Sequence, residues 1–397
     1  MRRVVLIVAA VLALQGVGAV LFAYSGLYNV AASAGHWPVT RWFLHMAMES
    51  SVRTYSYLVP EPPPLHDPAL VARGLGHYAG GCEPCHGAPG DKPTAISRGM
   101  VPVPPFLPSE VAKWSPEELF RLVKHGLKFT GMPAWLTQRR DDEIWAMVAF
   151  LEAMPGMPLA EYRARAEGEA VLPGGSAEET AYRVAALGDV GTPLVACARC
   201  HGFRGQGGGA GAFPRLAGQK ADYLLQALRD YATGARPSGI MRAVAAELTD
   251  AERAKLAAFY AAQKVPPAPA GPGPAPELLA RGRALAEAGD PARGIPACGA
   301  CHGRPEPGEA PSLVFPHLEG QYASYLDQQL HLFAAGIPDG TPAGRIMIAA
   351  ARGLSDADIR ALANHYAALP PPPPEGGPPP AAAAEAPPAE PPAAPAQ

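Results

Sequence analysis

Charge is scarce in this chain: Asp, Glu, Lys and Arg make up 17 % of its 397 residues and balance to a formal −3. No field of one sign is available to steer a nucleic acid or an acidic ligand. Aromatic residues are few as well, at 7 %, whereas Pro and Gly number 48 and 43. That surplus suits small domains rich in loops and short helices, joined by unstructured connectors. The length alone allows two to four domains at roughly 100–200 residues each. Cysteine is rarer still, with six in the chain. None is left over for a structural disulfide or a free thiol, because all six fall in three copies of one pattern.

The copies read Cys82-Glu83-Pro84-Cys85-His86, Cys197-Ala198-Arg199-Cys200-His201 and Cys298-Gly299-Ala300-Cys301-His302, followed by Gly87, Gly202 and Gly303. Two thiols separated by one short turn can form thioethers with the two vinyl groups on one edge of a haem. The next residue then lies under the macrocycle, where a histidine nitrogen can ligate the iron. A glycine after it lets the backbone run close to the porphyrin edge. A zinc half-site or a thioredoxin-like redox pair also uses Cys-x-x-Cys. Neither requires a histidine after every pair, and three separated pairs do not make whole tetrahedral sites. The pattern predicts three covalently bound haem c groups, held by Cys82, Cys85, Cys197, Cys200, Cys298 and Cys301, with His86, His201 and His302 as proximal ligands.

Covalent attachment of this kind takes place outside the bacterial cytoplasm, so the chain is expected to be exported. Met1-Arg2-Arg3 supplies positive charge, and Val4 to Tyr24 is an uncharged, mostly apolar run. About 20 apolar residues span about 30 Å of hydrocarbon as a helix, whereas a cleaved leader has a shorter apolar core of about 7–15. Ala32-Ser33-Ala34 would serve as a cleavage site, but the length favours a retained anchor. The arginines keep the N-terminus cytoplasmic, which places the rest at the periplasmic face of the inner membrane. From Ser25 to about residue 60, Trp37, Trp42 and several tyrosines suit either a juxtamembrane helical collar or a linker helix packed on the first domain. His36 and His45 there are not expected to bind iron.

The expected architecture is all-α: a transmembrane helix (1–24), a juxtamembrane segment (25–60) and three small helical domains at 61–158, 159–265 and 277–370. A Pro-rich linker (266–276) separates the last two. The final Pro/Ala-rich stretch, 371–397, cannot bury apolar area and is expected to be disordered. The last two domains are copies of one another. Phe213-Pro214-x-Leu216-x-Gly218-Gln219 matches Phe315-Pro316-x-Leu318-x-Gly320-Gln321, and Tyr223-Leu224 matches Tyr325-Leu326. Met241, Leu248-Thr249-Asp250 and Tyr260 match Met347, Leu354-Ser355-Asp356 and Tyr366 at identical offsets. A repeat of this length is a duplicated domain rather than a solenoid unit. The first unit shares the skeleton. Gly74, Tyr78 and Cys82 share one helix face, and a second helix opens at Asp141-Asp142-Glu143, acids suited to an N-terminus, before Trp145 to Leu151. A small residue facing an aromatic permits a close helix crossing.

Each unit also offers one methionine at a similar interval: Met132, Met241 and Met347. Thioether sulfur is soft, and His/Met ligation raises the reduction potential, so these three are the candidate distal ligands. Met132 sits in Thr130-Gly131-Met132-Pro133, a loop able to hold the sulfur without a helix. Met100, Met147, Met154 and Met157 read as loop or core residues. His125 lies in a turn, His317 aligns with an arginine, and His331 and His365 fall on helices, so none is a preferred ligand.

With these residues the chain resembles the class I c-type cytochromes, in which the haem motif follows an N-terminal helix and the methionine precedes a C-terminal one. Gly74/Tyr78 and Trp145/Phe150 look like that family's helix-crossing residues. The second and third units resemble the dihaem c-four subclass in the Phe-Pro-x-Leu-x-Gly-Gln and Met–Leu-Ser/Thr-Asp segments. The resemblance implies an electron carrier without a small-molecule substrate or catalytic residues of its own. It takes electrons from a quinol-oxidising complex or a dehydrogenase and passes them to a terminal oxidase or reductase. The haem count also resembles the cytochrome subunits of membrane-bound dehydrogenases, which is the alternative reading. An enzyme or gas sensor would need an open iron site, and no unit lacks a methionine.

Overall fold

The computed structural model describes residues 1–168, 176–208, 211–265, 273–303, 315–337 and 340–374. The tail expected to be disordered lies outside them from residue 375, as does most of the Pro-rich linker, 266–272. Among the described residues there are helices and three isolated bridges but no strand, so the chain is all-α.

The first helix, α1 (Arg2–Ser25), is 24 residues long, ends on a left-handed Gly26 at φ 67° and has no buried residue. Its mean hydropathy of 2.7 over a membrane-length window makes it long and apolar enough to cross a bilayer. The next helix, α2 (Pro38–Ser56), buries only Val52. It packs on the first domain: Arg53 lies 3.8 Å from Glu118, and the Arg121 guanidinium sits 4.8 Å above the Tyr55 ring.

The first domain runs α3 (Pro68–Gly81), α4 (Glu83–His86), α5 (Ala95–Arg98), α6 (Leu107–Glu110), α7 (Pro116–His125), α8 (Asp141–Ala153) and α9 (Leu159–Glu167). Asp67 caps α3 by accepting from the Ala69 amide, with Pro68 preset at the first turn. The α3–α8 crossing carries the core. A Cβ on Gly74 would overlap the Ala146 carbonyl and stand 2.7 Å from Phe150 Cβ, so only glycine allows this approach. The Tyr78 ring lies tilted 5.1 Å from Phe150, and Phe120 lies 4.5 Å from Trp145. Met147 and Met154 are buried in this core. The core does not stop at residue 158. Tyr162 and Ala166 of α9 are buried in it, and the Tyr162 hydroxyl donates to Glu83 at 2.7 Å. The Pro155–Pro158 segment thus joins two helices, α8 and α9, that both contribute side chains to this core.

The second domain comprises α10 (Ala177–Val190), α11 (Pro193–His201), α12 (Ala221–Thr233), α13 (Met241–Ala246) and α14 (Asp250–Ala261). The third comprises α15 (Pro276–Ala288), α16 (Gly299–His302), α17 (Ala323–Ala334), α18 (Pro342–Ala351) and α19 (Asp356–Ala368). The repeated Leu-Thr/Ser-Asp segment has a structural purpose. Thr249 pairs with Glu252, and Ser355 with Asp358, in capping boxes that start α14 and α19. Asp358 is wholly buried and also takes Arg281 and Arg293, each at 2.6 Å. The glycine crossing recurs in the third domain, where a Cβ on Gly282 would overlap the Ala361 carbonyl of α19. The second domain departs from it: the α10 glycine, Gly188, has open space around it, and α10 rests on the core through Ala186 and Val190.

Candidate functional site: three Cys-Cys-His turns and their methionine segments

Each Cys-x-x-Cys-His segment forms a helical turn. His86 N bonds Cys82 O at 2.9 Å, His302 N bonds Cys298 O at 2.9 Å, and α11 carries Cys197, Cys200 and His201 together. The following glycines at 87 and 202 have φ of 75° and 78°, which ends the helix where a side chain would be strained.

The three imidazoles are held alike. His86 Nδ1 lies 2.9 Å from Pro105 O, His201 Nδ1 2.9 Å from Pro214 O, and His302 Nδ1 3.0 Å from Pro316 O. A carbonyl oxygen only accepts, so Nδ1 carries the proton and the Nε2 lone pair is left for a metal. Burial lowers the pKa of all three rings, against the opposing pull of the carbonyl, which favours the neutral, ligating form. Burial also pushes the Cys82 and Cys197 thiols up to about 12, and raises Cys200 and Cys298. Such thiols are buried apolar groups suited to a hydrophobic macrocycle edge rather than reactive thiolates. The residues fit a covalently attached haem at each turn.

The candidate distal methionines are all half-buried, Met132 preceding α8, Met241 preceding α14 and Met347 preceding α19. Met132 lies outside any helix. Its amide bonds Thr130 Oγ1 at 3.1 Å, and its carbonyl accepts from Leu127 N at 3.2 Å. Met241 opens α13, its amide donating to Ser238 Oγ at 3.0 Å. Met347 stands inside α18, because Thr341 caps that helix and Pro342 starts it a turn earlier. Of the histidines set aside, His36 pairs with Tyr28 at 2.7 Å, and His331 lies 3.1 Å from Asp327. His125 ends α7, and His365 flanks the Gly282 crossing.

The second turn is enclosed. Gly76 of α3 approaches it so closely that a Cβ there would stand 3.3 Å from Cys200 Sγ and 2.9 Å from Phe213. Arg199 reaches back to the first domain, donating to Gly76 O at 3.0 Å and Ala166 O at 3.4 Å. His77, its ring tilted against Trp135 at 4.5 Å, is brought to a pKa of about 4 by burial and then by Arg199. On the other side, the repeated Phe-Pro-x-Leu-x-Gly-Gln segments pair reciprocally. Gln321 accepts from Arg215 N at 2.9 Å and donates to Arg215 O at 3.0 Å. Gln219 does the same with His317, at 2.9 and 3.0 Å. By contrast, Cys301 at the third turn is exposed. His77 and Trp135 belong to no motif, Arg199 fills a variable position of the second Cys-x-x-Cys-His that gives no sign of its reach to the first domain, and the shared glutamines are visible in the sequence as a repeat.

Residues 69–151 match the family model described as cytochrome c oxidase, cbb3-type, subunit III, and residues 191–262 match the cytochrome c model. The chain is 39 % identical over 176 residues to a thiosulfate dehydrogenase electron acceptor of Thiomonas intermedia, covering 44 % of this chain and 79 % of that protein. It is 39 % identical over 175 residues to a cytochrome c4 of Thiocapsa roseopersicina, covering 44 % of this chain and 86 % of that one. Among solved structures, reduced cytochrome c4 from Pseudomonas stutzeri aligns at 32 % identity with a TM-score of 0.39, over 46 % of this chain and 98 % of that one.

Proposed function

The chain belongs to the class I c-type cytochromes, with c4-like domains and the role of a non-enzymatic electron carrier; from that premise we propose that it is a three-haem, membrane-tethered carrier. Cys82 and Cys85, Cys197 and Cys200, and Cys298 and Cys301 would attach the haems, which supply one-electron ferric–ferrous chemistry when bound. His86 and Met132, His201 and Met241, and His302 and Met347 would be the axial pairs. The observation that carries this reading is the identical Nδ1-to-proline-carbonyl bond at all three histidines, which presents three Nε2 lone pairs in the same way. The first domain is taken to extend to about residue 167, followed by the duplicated pair.

Enclosure of the second turn between two domains suits an internal position, leaving the first and third to meet partners. The exposed Cys301 edge is the accessible face of the third. With α1 in the inner membrane, the domains would lie on the periplasmic side. Relatives named thiosulfate dehydrogenase electron acceptor favour a dehydrogenase as the donor, with an oxidase or reductase as the acceptor. Those names also favour the second reading, a tightly bound subunit of a dehydrogenase complex, which predicts co-purification with the catalytic partner.

The test is a pyridine haemochrome count with carbon monoxide binding to the reduced, purified protein. Three haems per chain with no carbon monoxide bound supports three closed His/Met sites. Two haems, or one stoichiometric carbon monoxide adduct, would sink the three-site assignment.

A further inference from the structure

Glu143, in the first turn of α8, is buried at 5 % exposure and is surrounded by partners from two domains. Its Oε2 accepts the Trp135 indole N–H at 3.0 Å, and Trp135 is three residues beyond Met132. The same oxygen accepts the Gly239 amide at 2.6 Å, and Oε1 accepts the Ser238 hydroxyl at 2.6 Å. Ser238 Oγ in turn accepts the Met241 amide at 3.0 Å. Arg140 stands beside the carboxylate at 3.4 Å and donates to Pro237 O at 3.0 Å. The two loops also touch directly: a Cβ on Gly239 would overlap the Trp135 indole. Arg242 closes the same contact from its other side, donating to Leu136 O at 3.3 Å.

One buried carboxylate therefore holds the segment that follows Met132 and the segment that precedes Met241. A carboxylate has about four acceptor positions and no donor. Three convergent N–H and O–H donors match it, and a charge-assisted acceptor holds such donors more firmly than a neutral one. A buried network of this kind has few alternative arrangements, so displacing one member displaces the others.

We propose that Glu143 is a positioning residue shared by two sites, tying the Met132 loop of the first domain to the Met241 segment of the second so that the two thioethers are set together. This rests on the methionine assignment above. The third domain meets the edge of the network through Gln328 of α17, which donates to Asp142, the carboxylate partner of Arg140, while Met347 lies apart from it, placed by the Thr341 cap of α18.

The experiment is proton NMR of the reduced holoprotein, in which the ε-methyl group of an iron-bound methionine is shifted far upfield by the porphyrin ring current. Met132→His, Met241→His and Met347→His assign the lines. Fewer than three such lines in the unaltered protein would refute the ligand assignment itself, whatever Glu143 does. Given three lines, Glu143→Gln is expected to shift or broaden the Met132 and Met241 lines while leaving the Met347 line in place. Trp135→Phe, which removes only the indole donor and ring edge, is expected to move the Met241 line across the domain boundary. Ser238→Ala is expected to move the Met132 line in the reverse direction. Each cross-effect should exceed a linewidth. If Trp135→Phe moves only the Met132 line and Ser238→Ala only the Met241 line, the coupling is overturned. These two variants keep the test decisive even if Glu143→Gln does not fold.

Discussion

The seam between the second and third domains and the seam between the first and second are built on different plans. The former is reciprocal: Gln219 and Gln321, equivalent in the repeat, each satisfy the backbone of the other domain through one amide. The latter has no such symmetry. It relies on Arg199, His77, Trp135 and Glu143, none of which has a counterpart performing the same task across the boundary. A duplicated domain meets its copy with one patch used twice, whereas an unrelated neighbour needs a separate residue for every contact. The first seam should therefore respond to mutation in matched pairs, and the second residue by residue.

The largest effects are expected at the glutamines. Gln219→Ala and Gln321→Ala each remove both bonds to the backbone of one residue in the opposite domain, half-buried at His317 and buried at Arg215, at about 2–4 kcal/mol per variant. Urea unfolding should give nearly equal losses for the two, and a clear inequality would break the reciprocity. Next comes pH. His77 has a folded pKa near 4, below the roughly 6.5 of an unfolded histidine, so the unfolded state holds more protons between those values. Its contribution is complete above pH 6.5 and is lost as the pH falls toward 4, by up to about 3 kcal/mol. His77→Gln should flatten that slope in thermal melts, and an unchanged slope would remove His77 as its source.

Arg199→Ala removes the charged donor to two first-domain carbonyls and should cost about 2 kcal/mol. Limited proteolysis should then release the first domain while the later pair stays joined. Joint release of all three would contradict separate seams. The smallest effect is a pair of opposite sign. Gly76→Ala should destabilise by about 1 kcal/mol, as Phe213 and Cys200 are pushed aside. Gly188→Ala, in open space within α10, should stabilise by about 0.5–1 kcal/mol. Differential scanning calorimetry reads both.

Much of this was legible in the chain. The three turns, the all-α class, the α3–α8 crossing at Gly74 and the repeat all follow from local spacing, because each is encoded within a few residues or by a glycine that nothing else could replace. What escaped was set by distant pairing. Glu143 looks like one of three acids at a helix start, a role that exposed carboxylates fill everywhere. Its burial under Ser238 and Gly239, almost a hundred positions later, has no local signal. Tyr162 was likewise hidden behind Pro155 and Pro158, which punctuate a loop without saying whether the chain leaves the domain or folds back on it. The repeated Gly-Gln was visible as similarity, but only the assembled domains reveal that the two copies bind one another.

That reciprocal pairing has a further consequence. A patch complementary to itself joins two separate copies of a one-domain protein as readily as two halves of one chain. Here both halves belong to one chain, so the seam at Gln219 and Gln321 closes at an effective concentration set by the tether between the domains and not by the amount of protein in solution.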